Sequence, residues 1–301
     1  MKIIVTGLGR MGNQIAHKLA DSGFEVIANN RSPEKIDKID YDAQKAYSKQ
    51  DALKAVGAEQ VVIWMMIADT AMEEELAKWL EIVPSGSIII DGGNSDFRLT
   101  QKRAEAVKAK GSAYIDVGTS GGVWGYKNGF SLMAGGDEAA FKLIEPVLKV
   151  LAQPAGAYGH FGPSGAGHFV KMTHNAIEYG MMESLAEGYR LLKEGPYKNI
   201  DLAKAGEVWQ HGSVVVSWLN DLTKQALEEN PELEGIEGVV EEKGEAKWAL
   251  EAAKELNIPM PAIQTALDVR FASQKGDITF ATKLLAAIRN KFGGHDINPY
   301  K

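Results

Sequence analysis

One junction constrains this chain more than any other: KIIVT, residues 2–6, a run rich in β-branched residues, passes directly into GLGRMG at 7–12 and then into a helical stretch. Strand, glycine turn of the G-x-G-x-x-G type and helix, in that order, make the first βα turn of a dinucleotide-binding sheet. Gly7 allows the tight turn, Gly9 lets a pyrophosphate approach the backbone, and Gly12 permits close packing of helix on strand. The helix N-terminus then faces the phosphates. A plain βα turn needs only one of these glycines. Leu8, Arg10 and Met11 lie between them and join the candidate cofactor site.

The pattern continues along the first half. FEVIANN, QVVIWMMI, SIIIDGG, SAYIDVG and GFSLMAGG read as further strands, and the segments after Leu8, Pro33, Asp69, Asp96 and Asp137 read as helices. Near-continuous apolar strands alternating with helices indicate a parallel sheet covered on both faces. The expected fold is α/β: a doubly wound, Rossmann-like cofactor domain over 1–164 and an all-helical domain over 165–301. Glycine density peaks in GHFGPSGAG, which sets that boundary. Beyond it, helices are expected at about 165–194, 201–228, 245–256, 260–275 and 278–292.

The end of the second strand discriminates between nicotinamide cofactors. An NAD site usually carries Asp or Glu there for the ribose 2′-OH. This chain has Asn29, Asn30, Arg31 and Ser32. Arg31 suits a 2′-phosphate, Ser32 offers a hydrogen bond, and NADP is favoured, with NAD possible. Ser32-Pro33 also fits an ordinary helix start.

Composition narrows the partners. A net charge of −7 with no basic block argues against a nucleic-acid surface. There is no cysteine, hence no disulfide or thiolate site. The N-terminal apolar run is too short for a signal peptide, and no segment reaches the ~18 apolar residues of a membrane span. A cytoplasmic protein is expected.

Two strand ends are unusual. DGGNS places Asn94 after two glycines, and TSGG places Ser120, Gly121 and Gly122 in a turn that a ligand can approach closely. In GHFVKMTHNAIEYG, residues 167–180, Lys171, His174, Asn175 and Glu178 share one narrow arc of a helix that is otherwise mostly apolar. Burial of Lys171 would favour a neutral general base, and burial of Glu178 a protonated acid. A buried ion pair between domains would use the same residues. A metal site is disfavoured, because His174 and Glu178 lack a second histidine at ligand spacing.

GLGRMG, DGGNS, TSGG, GAGHFVKMTHNAIEYG, KGEAKW and IRNKFGGH, in this order over nearly the whole chain, resemble the decarboxylating 6-phosphogluconate dehydrogenases in their short bacterial form. The resemblance implies oxidation of 6-phosphogluconate at C3, with Lys171 taking the hydroxyl proton and the nicotinamide the hydride. The β-keto acid then loses CO2 without a metal, and Glu178 protonates C1 to give ribulose 5-phosphate. By the same resemblance, Asn94, Ser120, Gly121, Gly122, His174 and Asn175 hold the sugar acid, while Tyr179, Lys243, Arg270, Arg289 and His295 surround its phosphate. Asn94 also touches the cofactor, as does Met66 in WMMIADTAMEE, a stretch that departs from the family pattern. Ala176 stands where a glycine is expected, and Glu245-Ala246 also departs from the motif. A homodimer or homotetramer is implied, with the tail reaching the neighbouring subunit. The rival readings are a non-decarboxylating β-hydroxyacid dehydrogenase and an NADP-binding regulatory module.

Overall fold

The computed structural model describes residues 1–242 and 244–298. The chain forms two compact units, Met1–Met172 and the residues from Thr173 onward.

The first unit carries an eight-stranded sheet: β1 (Lys2–Thr6), β2 (Glu25–Asn29), β3 (Gln44–Ala46), β4 (Val62–Met65), β5 (Ile88–Asp91), β6 (Ala113–Ser120), β7 (Ser131–Gly136) and β8 (Tyr158–His160). The order is β3-β2-β1-β4-β5-β6-β7-β8. All neighbours pair parallel except β6 with β7. The expectation of a parallel sheet is corrected there, because the chain returns from Ser120 to Ser131 through two short helical turns, Gly122–Trp124 and Gly125–Asn128, too few residues to cross over. The helices are α1 (Arg10–Asp21), α2 (Pro33–Asp37), α3 (Lys49–Val56), α4 (Asp69–Leu80), α5 (Phe97–Ala109), α6 (Gly125–Asn128) and α7 (Glu138–Ala152), followed by the start of α8 (Ala166–Glu194).

Alternate residues of each central strand feed opposite cores. Ile3 and Val5 of β1 join Ile15 and Leu19 of α1 and Val147 and Leu151 of α7, while Ile4 joins Leu76 and Trp79 of α4. Each aliphatic side chain buried this way contributes about 1.5–3 kcal/mol, and both faces must be apolar for both cores to form.

The start of α8 is fixed to β6. Asp116, fully buried, accepts hydrogen bonds from the backbone N–H of Gly165 and of His168, each at 2.8 Å. Two residues along β6, a Cβ added at Gly118 would lie 2.2 Å from Cβ of Lys171. Only glycine lets α8 lie this close to the strand. Side-chain caps close α5, where Asp96 accepts from Arg98 N, and α7, where Asp137 accepts from Ala140 N. α1 and α4 have no such cap.

The second unit holds the remainder of α8, then α9 (Leu202–Gln210), α10 (Trp218–Glu229), α11 (Glu245–Glu255), α12 (Pro261–Gln274) and α13 (Phe280–Gly293). Its core sets Met182, Ala186 and Tyr189 of α8 against Leu222 and Leu227 of α10 and Leu284, Leu285 and Ile288 of α13. The single helix expected over 201–228 is two. Asn220 joins them, donating to Gly206 O at 3.0 Å and Gln210 Oε1 at 2.8 Å and accepting from Tyr189 OH at 2.9 Å.

Candidate active site

The glycine turn after β1 is held from the end of β2. Gly7, at φ +93°, donates to Asn29 O at 3.1 Å, and Leu8 N donates to Asn30 Oδ1 at 2.9 Å. A Cβ at Gly12 would lie 2.0 Å from Gly7 O, whereas one at Gly9 would meet nothing within 4 Å. The backbone is thus packed tightly behind the turn and open at Gly9. Gly9 is the N-cap of α1 and supplies no side chain, which leaves the N–H groups of Arg10, Met11 and Gly12 at a positive helix end. This geometry fits a pyrophosphate. Met66, next to β4, donates its N–H to Thr6 O at 2.8 Å, and its sulfur accepts from Trp64 Nε1 at 3.1 Å. Arg31 is exposed. Ser32 is the N-cap of α2, yet its hydroxyl makes no capping bond, so the start of that helix does not account for the serine.

The DGGNS turn is built on Asp91, which is fully buried. Its carboxylate accepts from Gly93 N at 3.1 Å, Ser95 Oγ at 3.1 Å, Tyr114 OH at 2.8 Å and Arg103 Nη1 at 3.4 Å. Burial and Asp91 hold the Tyr114 phenol well above its usual range, which keeps it a donor. Asn94 stands exposed at the tip of the anchored turn. Ser95 is turned inward to Asp91, and Asp96 caps α5. At the end of β6, Ser120 leads into Gly121 at φ +137° and Gly122 at φ +53°.

Lys171, His174, Asn175 and Glu178 all ride on α8. Lys171 is 6% exposed and Asn175 7%, while the Glu178 side chain keeps 24%. His174 Nδ1 lies 3.0 Å from Asn175 Oδ1 and 4.0 Å from Glu178 Oε2. Seven residues of α-helix set the backbones of Lys171 and Glu178 about 10 Å apart along the axis and on nearly the same face.

The helical unit gathers a second group. Arg270 and Arg289, whose simplest reading is exposed helix cations, are 2% and 7% exposed. The Arg270 guanidinium stacks on Tyr179, and its Nη2 meets Met182 Sδ at 3.9 Å. Among the described residues no carboxylate lies within 4.0 Å of either arginine. Burial pushes Arg270 down to about 10, and Arg289 is lowered first by burial as well. A buried guanidinium without a carboxylate is costly by several kcal/mol. His295 packs against Phe292 and Gly293. Lys243 lies outside the described residues.

Asp91, which anchors the DGGNS turn, and Asp116 and Gly118, which seat the start of α8 on β6, do not stand out in the sequence. The carboxylate ending IIID and the glycine in IDVG are visible letters, but the partners of Asp116 are 49 and 52 residues away.

Comparison with known proteins agrees along the whole chain. Residues 2–162 match the NAD binding domain of 6-phosphogluconate dehydrogenase, and residues 167–298 match the 6-phosphogluconate dehydrogenase C-terminal domain. The chain is 37% identical over 300 residues to an NAD(+)-dependent, decarboxylating 6-phosphogluconate dehydrogenase of Haloferax volcanii, covering 99% of this chain and 98% of the relative. It is 32% identical to the decarboxylating enzyme of Synechocystis, covering 96% of this chain but 64% of that longer protein. Plasmodium falciparum 6-phosphogluconate dehydrogenase, solved apo, with NADP+ and with 6-phosphogluconate, superposes with a TM-score of 0.82 at 25% identity, over 100% of this chain and 67% of that one. A Mycobacterium tuberculosis 3-hydroxyisobutyrate dehydrogenase, TM-score 0.74 at 21% identity over 94% of this chain and 97% of that one, shares the fold.

Proposed function

Because the chain belongs to the 6-phosphogluconate dehydrogenase family, we propose that it oxidises and decarboxylates 6-phosphogluconate to ribulose 5-phosphate and CO2. The observation that carries this reading is the pair of buried arginines, Arg270 and Arg289, without carboxylate partners among the described residues. A sugar-acid phosphate supplies the missing charge. A non-decarboxylating hydroxyacid dehydrogenase has no use for it.

Residues 1–164 would hold the nicotinamide dinucleotide, with the turn from Gly7 to Gly12 on its pyrophosphate, Asn30, Arg31 and Ser32 on the adenosine ribose, and Met66 and Asn94 nearer the nicotinamide. When bound, the cofactor supplies the hydride acceptor. Neutral Lys171 takes the proton of the C3 hydroxyl, and as an ammonium it then stabilises the enolate oxygen that forms as CO2 leaves. Glu178 delivers the proton to C1. Asn94, Ser120, Gly121, Gly122, His174 and Asn175 orient the carboxylate and hydroxyls. In residues 165–301, Tyr179, Lys243, Arg270, Arg289 and His295 take the phosphate. Arg31 and Ser32 support NADP over NAD, a choice that differs from the name of the Haloferax relative. Ile177, Met181, Val214 and Trp218, exposed apolar residues of the helical unit, support a homodimer or homotetramer. Among the described residues no helix is long and apolar enough to cross a membrane, and a cytoplasmic location is part of the proposal.

Purified protein with 6-phosphogluconate and NADP is expected to release one CO2 for each NADPH formed. Reduction without CO2 would support the hydroxyacid rival, and binding without turnover the regulatory one.

A further inference from the structure

Glu183 lies on α8 one helical turn past Tyr179 and is 6% exposed. Among the described residues nothing forms a hydrogen bond or an ion pair within 4.0 Å with its carboxyl. On one side it borders a cavity of about 400 Å³, where Glu187, Arg190, Glu194 and Asp277 supply the other charges. Arg190 is already engaged, its Nε donating to Glu194 Oε1 at 2.9 Å. Glu183 also feels the Arg270 guanidinium electrostatically, beyond ion-pair distance. The charged groups facing it are therefore Glu187 on its own helix, Arg270 on α12 and the charges around the cavity.

We propose that Glu183 is a positioning residue for the substrate phosphate: ionised, it competes with the anion for the field of Arg270; protonated, it leaves that field to the anion. The inference rests on the reading of Arg270 as a phosphate contact. Burial, with the charge of Glu187 adding to it and that of Arg270 opposing, pushes the Glu183 carboxyl up to about 7, so the exchange falls near neutral pH. The coupling is reciprocal. A phosphate bound at Arg270 raises the proton affinity of Glu183, and binding takes up a proton.

The test is the KM and Kd for 6-phosphogluconate from pH 5.5 to 8.5 in the wild type, Glu183→Gln, Glu187→Gln and Arg270→Met. Ratios between proteins cancel the titration of the substrate's own phosphate. The wild type and Glu183→Gln should agree at pH 5.5, and at pH 8.5 the wild type should bind roughly threefold or more weakly. The change falls on KM rather than kcat. Glu187→Gln removes the neighbouring charge that favours the proton and should move the wild-type break to lower pH; this exposed change decides the matter even if Glu183→Gln fails to fold. Parallel profiles for wild type and Glu183→Gln, or an unmoved break in Glu187→Gln, would overturn the proposal. Unaltered affinity in Arg270→Met would instead reject the phosphate reading beneath it.

Discussion

The guanidinium carbon of Arg270 sits 3.3 Å from the centre of the Tyr179 ring, a stacked pair inside the helical unit. A cation held on an aromatic face keeps its N–H fork free at the edges, and in Arg270 that fork meets no carboxylate among the described residues. The proposed role of the pair is to hold a ligand, and that role separates its effect on affinity from its effect on the fold.

Stability and affinity should therefore respond to Arg270→Met in opposite ways. Removing a buried, uncompensated charge is expected to leave Tm unchanged or higher. The KM for 6-phosphogluconate is expected to rise by about 10- to 150-fold, from loss of charge-assisted hydrogen bonding of roughly 1.5–3 kcal/mol. Thermal unfolding and steady-state kinetics on one preparation check both. A fall in Tm without a rise in KM would make Arg270 a structural residue.

Lys171→Ala is expected to abolish oxidation, with kcat falling at least 100-fold. Glu178→Gln should retain a single turnover of NADPH formation but slow release of ribulose 5-phosphate. Rapid-quench measurement separates the two steps, and equal loss in both would remove Glu178 from the later proton transfer.

Arg31→Asp should reverse or erase the preference for NADP, because it exchanges a partner of the 2′-phosphate for a partner of the 2′-hydroxyl. A change in the kcat/KM ratio of the two cofactors of about 10-fold or more is expected. An unmoved ratio would place the determinant elsewhere.

Gly118→Ala puts a methyl group 2.2 Å from Cβ of Lys171. Relief requires α8 or the lysine to shift, at about 1–3 kcal/mol. Both Tm and kcat should fall, whereas Asp116→Asn should lower Tm more than kcat, since it weakens the helix cap without crowding the amine.

Glu183 also makes a prediction for stability against pH. Its folded pKa, about 7, lies above that of a free glutamate, so the folded state holds this proton more tightly. The resulting stabilisation is fully present below about pH 4.3, the unfolded value, and is lost as pH rises through 7. The Tm of the wild type should decline relative to Glu183→Gln over that interval. A constant difference between them would show that the carboxyl is not protonated in the fold.

The long strands were legible because burial on both faces demands continuous apolar runs. β3 was not: in Gln44–Ala46 the first two residues are exposed, and only Ala46 reaches the core. β8, Tyr158–His160, is partly exposed throughout and runs into the glycine-rich stretch that marks the domain boundary. The polar stripe on α8 was legible from its spacing, and its chemistry from the resemblance. The burial of Arg270 and Arg289 was not, because helical periodicity places a residue on a face without saying what covers that face. Glu183 stayed hidden for the same reason, one turn beyond the motif that drew attention.

The fold also sorts its helix ends by charge. Aspartates occupy the positive poles of α5, α7 and α8, the first two from their own caps and the last from across the sheet at Asp116. α1, which follows β1, has neither a side-chain cap nor an acidic residue in its first turn, whereas α4 has no cap but begins on Asp69. A polyanion meets repulsion at the occupied poles and attraction at the vacant one, so this unit steers a dinucleotide to the helix that follows β1 before any base or ribose is recognised.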